Sequence, residues 1–251
     1  MDMVIIGHSF VRRLRDNLFI PRSSHGRPRG QDISFCHNTK AQLCAQKLGV
    51  SNNIRAVYTS GNDINLIADL HKSESLIHEI QPQIIVIDIG SNDIANIDHE
   101  NHNIMLEFAN RLIDFALALT APLIIINSVL PRTERISSTP DQFRNNASHF
   151  NKFISVYASD TSNVIYNKMR GFAYYYDANN KESPKPVHMW SQDGIHCDER
   201  SIQQYRNRIR HAILDNIHRL KDKEQSQYNH SLSSYSSQPT DIFVIQTHSK
   251  R

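Results

Sequence analysis

Residues 3–10, with the sequence MVIIGHSF, carry the pattern that decides the fold. Four apolar residues run into Gly7, and a helical spacing of apolar residues follows at once, at Phe10, Val11, Leu14 and Leu18. This pattern predicts a buried β-strand that turns sharply into a helix, with Ser9 at the helix N-terminus. Unpaired backbone N–H groups and the helix dipole stabilise negative charge at such a position. Ser9 therefore either caps the helix or acts as a nucleophile, and residues elsewhere must distinguish the two roles.

The composition is typical of one soluble α/β domain with a polar extension. The chain has 251 residues, of which 39% are hydrophobic and 21% charged. We expect the domain to cover residues 1–222 and a disordered tail, rich in Ser, Gln and His, to cover 223–251. No apolar run approaches the roughly 20 residues that span a bilayer, and the N-terminus enters a strand without a signal-peptide pattern. We therefore expect a cytoplasmic or nuclear protein.

The cysteines and the charge exclude some classes of protein. Cys36, Cys44 and Cys197 are odd in number and lack the spacing of zinc ligands, so we predict reduced thiols and no structural metal. The net charge of +3 is too small to indicate nucleic-acid binding by itself. Arginines do cluster near the N-terminus and in the last helix, where a solvated helix face is the favoured interpretation.

Strands and helices alternate along the chain. The predicted strands lie at residues 3–6, 54–58, 84–89, 123–127 and 163–166, with a further short strand at 33–36. The predicted helices lie around 41–48, from an N-cap at Asp63 to 80, and over 141–158. Two further helices are predicted along apolar positions, the first at Ile104, Phe108, Leu112, Phe115 and Leu119, and the last at Ile202, Tyr205, Ile209, Ile213, Ile217 and Leu220. Residues 171–186 are predicted to form a long loop. This order predicts a three-layer α/β/α sandwich around a mainly parallel, five-stranded sheet.

Three candidate site residues follow predicted strands. Ser9 comes after the first strand, Gly61 lies in the segment TSGND at 59–63, and Asn92 lies in GSND at 90–93. The carboxyl ends of parallel strands meet at one edge of a sheet, so we expect these residues to lie close together. Taken singly, Gly61 and Asn92 are better explained as ordinary turn residues.

The segment DGIH at 193–196 supplies an acid and a base. Asp193 can support one imidazole nitrogen of His196 and leave the other nitrogen to deprotonate a hydroxyl group. Ser9, Asp193 and His196 form a candidate catalytic triad. The backbone N–H groups of Ser9 and Gly61 and the side-chain amide of Asn92 form a candidate oxyanion hole.

These blocks, in this order, resemble those of the SGNH hydrolases, also called GDSL-type esterases and lipases. The resemblance extends over residues 3–222. It implies a flavodoxin-like three-layer fold and a serine esterase that hydrolyses carboxylic esters, acetyl esters among them, through an acyl-enzyme. It also implies that no metal or organic cofactor is needed and that the partner is a small-molecule ester.

His8 departs from the family pattern, in which the first block usually reads Gly-Asp-Ser. The opening GHSFVRRL also resembles uncharacterised SGNH-like proteins of invertebrate genomes, some of them carried by mobile elements. Two alternatives therefore stay open. One is a catalytically inactive SGNH fold that serves as a binding module, associated with nucleic acid through its arginine-bearing helices. The other is an acyltransferase that uses the same triad.

Overall fold

A five-stranded parallel β-sheet forms the centre of the protein. The computed structural model describes residues 2–7, 11, 14, 55–59, 66–132, 139–169, 174–176, 182–184 and 197–218. The strands are β1 (Asp2–Gly7), β2 (Arg55–Thr59), β3 (Ile84–Asp88), β4 (Leu123–Asn127) and β5 (Val164–Asn167), in the order β2-β1-β3-β4-β5. All four neighbouring pairs are parallel. The predicted sheet is therefore confirmed, with strand ends shifted by at most one residue.

The central strands are buried on both faces, which explains their continuous apolar sequences. Successive side chains of β1 and β3 alternate between two core clusters. Met3, Ile5, Ile84 and Val86 contribute to one cluster, and Val4, Ile6, Ile85 and Ile87 to the other. Each cluster lies between the sheet and a layer of helices, so the three-layer architecture is confirmed.

The first cluster is covered by the C-terminal helix α5 (Glu199–Asn216). This helix begins at Asp198, whose side chain accepts a hydrogen bond from the backbone N–H of Ser201 at 2.7 Å. Its apolar positions recur at helical spacing, and the buried ones are Ile202, Tyr205, Ile209 and Ile213. Val11 and Leu14, which are helical and fully buried, belong to the same cluster and confirm part of the predicted first helix.

The second cluster is covered by the remaining helices. These are a 3-10 helix (Ile67–Ser73), α1 (Glu74–Ile80), α2 (Ser91–Ala95), α3 (His102–Ala118) and α4 (Pro140–Ser159). Helix α4 begins with a capping box, in which the Thr139 hydroxyl accepts from the Gln142 N–H and the Gln142 side chain accepts from the Thr139 N–H. None of the helices within the described residues is long and apolar enough to cross a membrane.

The helix predicted from Asp63 to residue 80 is in fact divided. Its first described part is the 3-10 helix, whose buried residues Ile67, Leu70 and Ser73 are three apart. A spacing of three matches the 3.0 residues per turn of a 3-10 helix better than the 3.6 of an α-helix. The α-helical conformation begins only at Glu74. The predicted N-cap Asp63 lies outside the described residues.

Two further predictions need correction. The first concerns the apolar face of α3. Of the predicted positions only Leu112 is fully buried, whereas Ile104, Phe108, Phe115 and Leu119 are partly buried. The other residues buried there are Met105, Ala109, Ile113 and Ala116, and the small alanines allow close packing. Residues 171–186 are not wholly a loop, because β6 (Tyr174–Tyr176) and β7 (Glu182–Pro184) pair as antiparallel strands. The high β-propensity of three consecutive tyrosines accounts for this pairing.

Several predictions fall outside the described residues. These are the strand at 33–36, the helix at 41–48, the thiols Cys36 and Cys44, and the tail 223–251. Cys197 is described, and its side chain is buried in the core.

Candidate active site

Three strands of the sheet end side by side at its carboxyl edge. In the strand register, Ile6 of β1 is paired with Thr59 of β2, and Gly7 of β1 is paired with Asp88 of β3. Ser9 follows Gly7 by two residues in the sequence, and Gly61 follows Thr59 by two. Ser9, Gly61, Asp193 and His196, together with His8, lie outside the described residues, so Asn92 is the one predicted site residue whose side chain the structure describes.

The turn that carries Asn92 depends on Gly90. This glycine has a φ of +111°, which side chains with a Cβ rarely adopt, and it begins the short helix α2. A Cβ added at Gly90 would lie 3.1 Å from the ring of Phe150. The glycine therefore lets the chain reverse tightly after β3, and it brings Asn92, which is half-buried, to the edge of the sheet.

The side-chain amide of Asn92 is held by Arg132. Arg132 Nη2 donates a hydrogen bond to Asn92 Oδ1 at 2.7 Å. An arginine side chain has donors only, so the Asn92 atom that faces it must be the oxygen. The amide orientation is thereby fixed, and Nδ2 with its two hydrogens is directed away from the guanidinium. Within the described part of the chain, no acceptor is bonded to Nδ2.

Arg132 is itself held firmly. It is only 4% exposed, its Nε donates to Ser91 Oγ at 2.9 Å, and its guanidinium carbon lies 5.3 Å from the centre of the Phe143 ring. Nε and Nη2 lie on the same edge of the guanidinium, so this edge binds both Ser91 and Asn92, two consecutive residues of α2. The sequence analysis did not identify Arg132. Arginine is usually exposed, and no local pattern after β4 indicates that this one is buried.

Asp93 joins the Asn92 turn to the segment that follows β2. Its Oδ1 accepts a hydrogen bond from the backbone N–H of Ile67 at 2.8 Å, and Ile67 begins the 3-10 helix that follows Gly61 in the chain. Asp93 is 6% exposed, and its Oδ2 is buried without a hydrogen-bond partner in the described chain. Burial raises the pKa of Asp93 to about 6, and the hydrogen bond from Ile67 opposes the rise.

This raised pKa predicts a pH dependence of stability. The native state holds a proton on Asp93 that the unfolded state releases between pH 4 and 6, so the free energy of unfolding falls as the pH rises through this range. From the ordinary value of 3.8 to about 6, the loss amounts to roughly 3 kcal/mol. We expect urea unfolding of Asp93→Asn, which keeps the acceptor for Ile67, to lack this decline. An equal decline in both proteins between pH 4 and 7 would contradict the assignment.

A partly buried polar network lies beneath the same edge of the sheet. The Tyr205 hydroxyl of α5 and Asn127 Nδ2 of β4 both donate to Asp88 Oδ2, the latter at 3.1 Å, and Asn167 Nδ2 of β5 donates to Asn127 Oδ1 at 2.8 Å. Desolvation raises the pKa of Asp88, and the two hydrogen bonds oppose it. Burial raises the pKa of Tyr205 well above its ordinary value, and the negative charge of Asp88 is the second largest cause of the rise. The network therefore ties the ends of β3, β4 and β5 to α5.

Helix α5 begins shortly after the predicted catalytic segment. His196 precedes Cys197, and Cys197 is buried in the same core cluster as Tyr205. The bond between Tyr205 and Asp88 thus anchors the helix that follows His196 to the end of the strand that leads to Asn92.

Comparison with solved structures identifies proteins of similar fold. One is a GDSL-like lipase from Bacteroides thetaiotaomicron, with 16% identity, 85% of this chain and 88% of that chain covered, and a TM-score of 0.55. A second is an acetyl xylan esterase, which is 14% identical, with 85% of this chain and 100% of that chain covered and a TM-score of 0.54. A third is a psychrotrophic esterase from Pseudoalteromonas inhibited by monoethylphosphonate. It is 12% identical, with 86% of this chain and 98% of that chain covered and a TM-score of 0.55.

These similarities show that the protein shares its fold with a GDSL-like lipase and with esterases, which is the fold that the sequence motifs indicated. No protein-family model matches the sequence, and none of the curated protein sequences compared with it matches.

Proposed function

We propose that the protein is a serine esterase that hydrolyses carboxylic esters, acetyl esters among them, with Ser9 as its nucleophile. The observation that carries this proposal is the fixed amide of Asn92. Asn92 follows β3, which ends beside β1, the strand before Ser9, at the carboxyl edge of the sheet. Its two N–H groups are directed away from Arg132. A preorganised donor at that edge is what an oxyanion requires.

The first half of the reaction forms an acyl-enzyme. Ser9 Oγ attacks the ester carbonyl carbon while His196 takes the hydroxyl proton, and Asp193 holds the imidazole in the required tautomer. When the tetrahedral intermediate collapses, the bond between the carbonyl carbon and the alcohol oxygen breaks. The leaving alcohol takes the proton from His196.

The second half releases the acid. Water, deprotonated by His196, attacks the acyl carbonyl carbon, and the bond to Ser9 Oγ breaks as His196 returns the proton to the serine. In both halves the negative oxygen is stabilised by Asn92 Nδ2 and by the backbone N–H groups of Ser9 and Gly61. The hydrogen bond between Asp93 and Ile67 supports this arrangement, because it connects the segments that follow Gly61 and contain Asn92.

Proteins of similar fold support ester hydrolysis as the class of reaction. Those described above are a lipase, an acetyl xylan esterase and an esterase inhibited by a phosphonate. Phosphonates form tetrahedral adducts that mimic the intermediate of acyl transfer, so the third of these motivates a phosphonate as probe for the present protein.

The direct test is turnover of p-nitrophenyl acetate, butyrate and octanoate by the purified protein between pH 6 and 9. We expect saturable hydrolysis, fastest with the acetate, that an alkyl fluorophosphonate abolishes. A non-catalytic binding module predicts instead a rate equal to that of buffer with all three esters. A transferase predicts that added alcohol diverts the acyl group to a new ester with little release of free acid.

A further inference from the structure

We infer that Arg132 is a positioning residue for the oxyanion hole and acts through the side-chain amide of Asn92. This inference rests on the proposed function and adds to it a residue that the sequence motifs do not contain. Arg132 comes from the end of β4, whereas Asn92 follows β3, so the contact joins two segments that are 40 residues apart.

The first step of the argument is orientation. An asparagine amide can be rotated by 180° to exchange its oxygen and nitrogen, and only one of the two orientations directs its N–H groups away from Arg132. The bond from Arg132 Nη2 to Asn92 Oδ1, at 2.7 Å, selects one orientation, because the reversed amide would place two sets of donors face to face. Arg132 therefore determines which group Asn92 offers to a substrate.

The second step is polarisation. A hydrogen bond from a cation to an amide oxygen is stronger than one between neutral groups, and it draws electron density toward that oxygen. The Nδ2 hydrogens become more positive as a result, and hydrogen bonds in such a chain reinforce each other. The hydrogen bonds that run from Arg132 through Asn92 to the oxyanion are strongest when the oxyanion carries its full charge. They therefore stabilise the transition state more than the bound ester.

The third step is rigidity. The Arg132 guanidinium is held by Ser91 Oγ along the same edge and by the Phe143 ring against its face. Phe143 is 2% exposed and belongs to the core cluster behind the sheet. The guanidinium cannot follow a moving amide, so Asn92 is held in place and less reorganisation is needed during the reaction. Lysine could supply the charge but cannot span Ser91 and Asn92 together.

The test is a double-mutant cycle with the ester substrate. We expect Arg132→Met to lower kcat about 10- to 100-fold with KM changed less than about threefold, and Arg132→Lys to restore little of the loss. In the Asn92→Ala background, Arg132→Met should lower kcat less than about threefold further, since its effect passes through the missing amide. Arg111→Met, at an exposed arginine of α3, is the matched control and should leave kcat unchanged.

A merely structural role predicts a different pattern. Arg132→Met would then lower only the thermal midpoint and leave kcat of the folded fraction at the wild-type value, or it would lower kcat by the same factor with and without Asn92. Either result overturns the inference while leaving the esterase intact. A wild-type protein without turnover overturns the proposed function instead.

A measurement independent of turnover examines the amide itself. In ¹⁵N-labelled protein, we expect the Asn92 side-chain NH₂ to show a heteronuclear NOE close to that of the ordered backbone, and to lose it in Arg132→Met but not in Arg111→Met. An Asn92 amide that is equally mobile in wild type and Arg132→Met would overturn the inference even in an inactive protein.

Discussion

We expect Ser9→Ala to lower kcat for p-nitrophenyl acetate by at least about 10³-fold, and by as much as about 10⁶-fold if the wild type is an efficient enzyme. The reason is that alanine removes the atom that forms the acyl bond, so neither half of the reaction can proceed through it. The residual rate would come from the oxyanion donors and from substrate binding, which alone accelerate hydrolysis over water. The measurement is the initial rate at saturating ester.

A matched control is available at Ser75, an exposed serine of α1. Ser75→Ala should keep the wild-type kcat, because alanine is well tolerated in an exposed helix. Both variants should unfold in urea at midpoints close to that of the wild type. Turnover by Ser9→Ala within tenfold of the wild type would show that another residue is the nucleophile.

The second large effect is expected at Asn92. Replacement by alanine removes one oxyanion donor, which costs about 10²- to 10³-fold in kcat with little change in KM. The variant also removes the hydrogen bond that Arg132 Nη2 donates to Asn92, and a hydrogen bond to a charged group contributes about 1.5–3 kcal/mol of stability. Rates should therefore be measured well below the thermal midpoint, with circular dichroism to confirm the folded fraction.

Asn103→Ala is the control for this prediction, since Asn103 is an exposed asparagine in the first turn of α3. Its kcat should equal that of the wild type. If Asn92→Ala raises KM but leaves kcat unchanged, the amide binds the ground-state ester and has no special role in the transition state.

The fold was predictable because its main determinants are local. Runs such as Ile84–Asp88 and Leu123–Asn127 are rich in β-branched residues and are followed by helical periodicity, which restricts the topology to a parallel sheet covered on both faces. The 3-10 helix was missed because its period of three is hard to separate from 3.6 over seven residues. The antiparallel pair of β6 and β7 was missed because its strands have three residues each.

The candidate site was predictable where it follows strand ends and not where it depends on tertiary contacts. Asn92 could be found because a glycine turn after a buried strand indicates the carboxyl edge of the sheet. Arg132 could not be found, since its role arises from a bond to a residue of the distant helix α2 and from a ring contributed by α4. The same holds for Tyr205, which the periodicity of α5 assigns to the core without revealing its bond to Asp88.

The central claim is that Ser9 is the nucleophile of an esterase, and phosphonate labelling tests it most directly. The protein is treated with an alkyl fluorophosphonate, residual turnover of p-nitrophenyl acetate is followed, and the adduct is located by mass spectrometry of peptides. We predict one adduct, on Ser9, whose formation parallels the loss of turnover, and none in Ser9→Ala. Full loss of turnover with Ser9 unmodified, or equal labelling of Ser9→Ala, would contradict the claim.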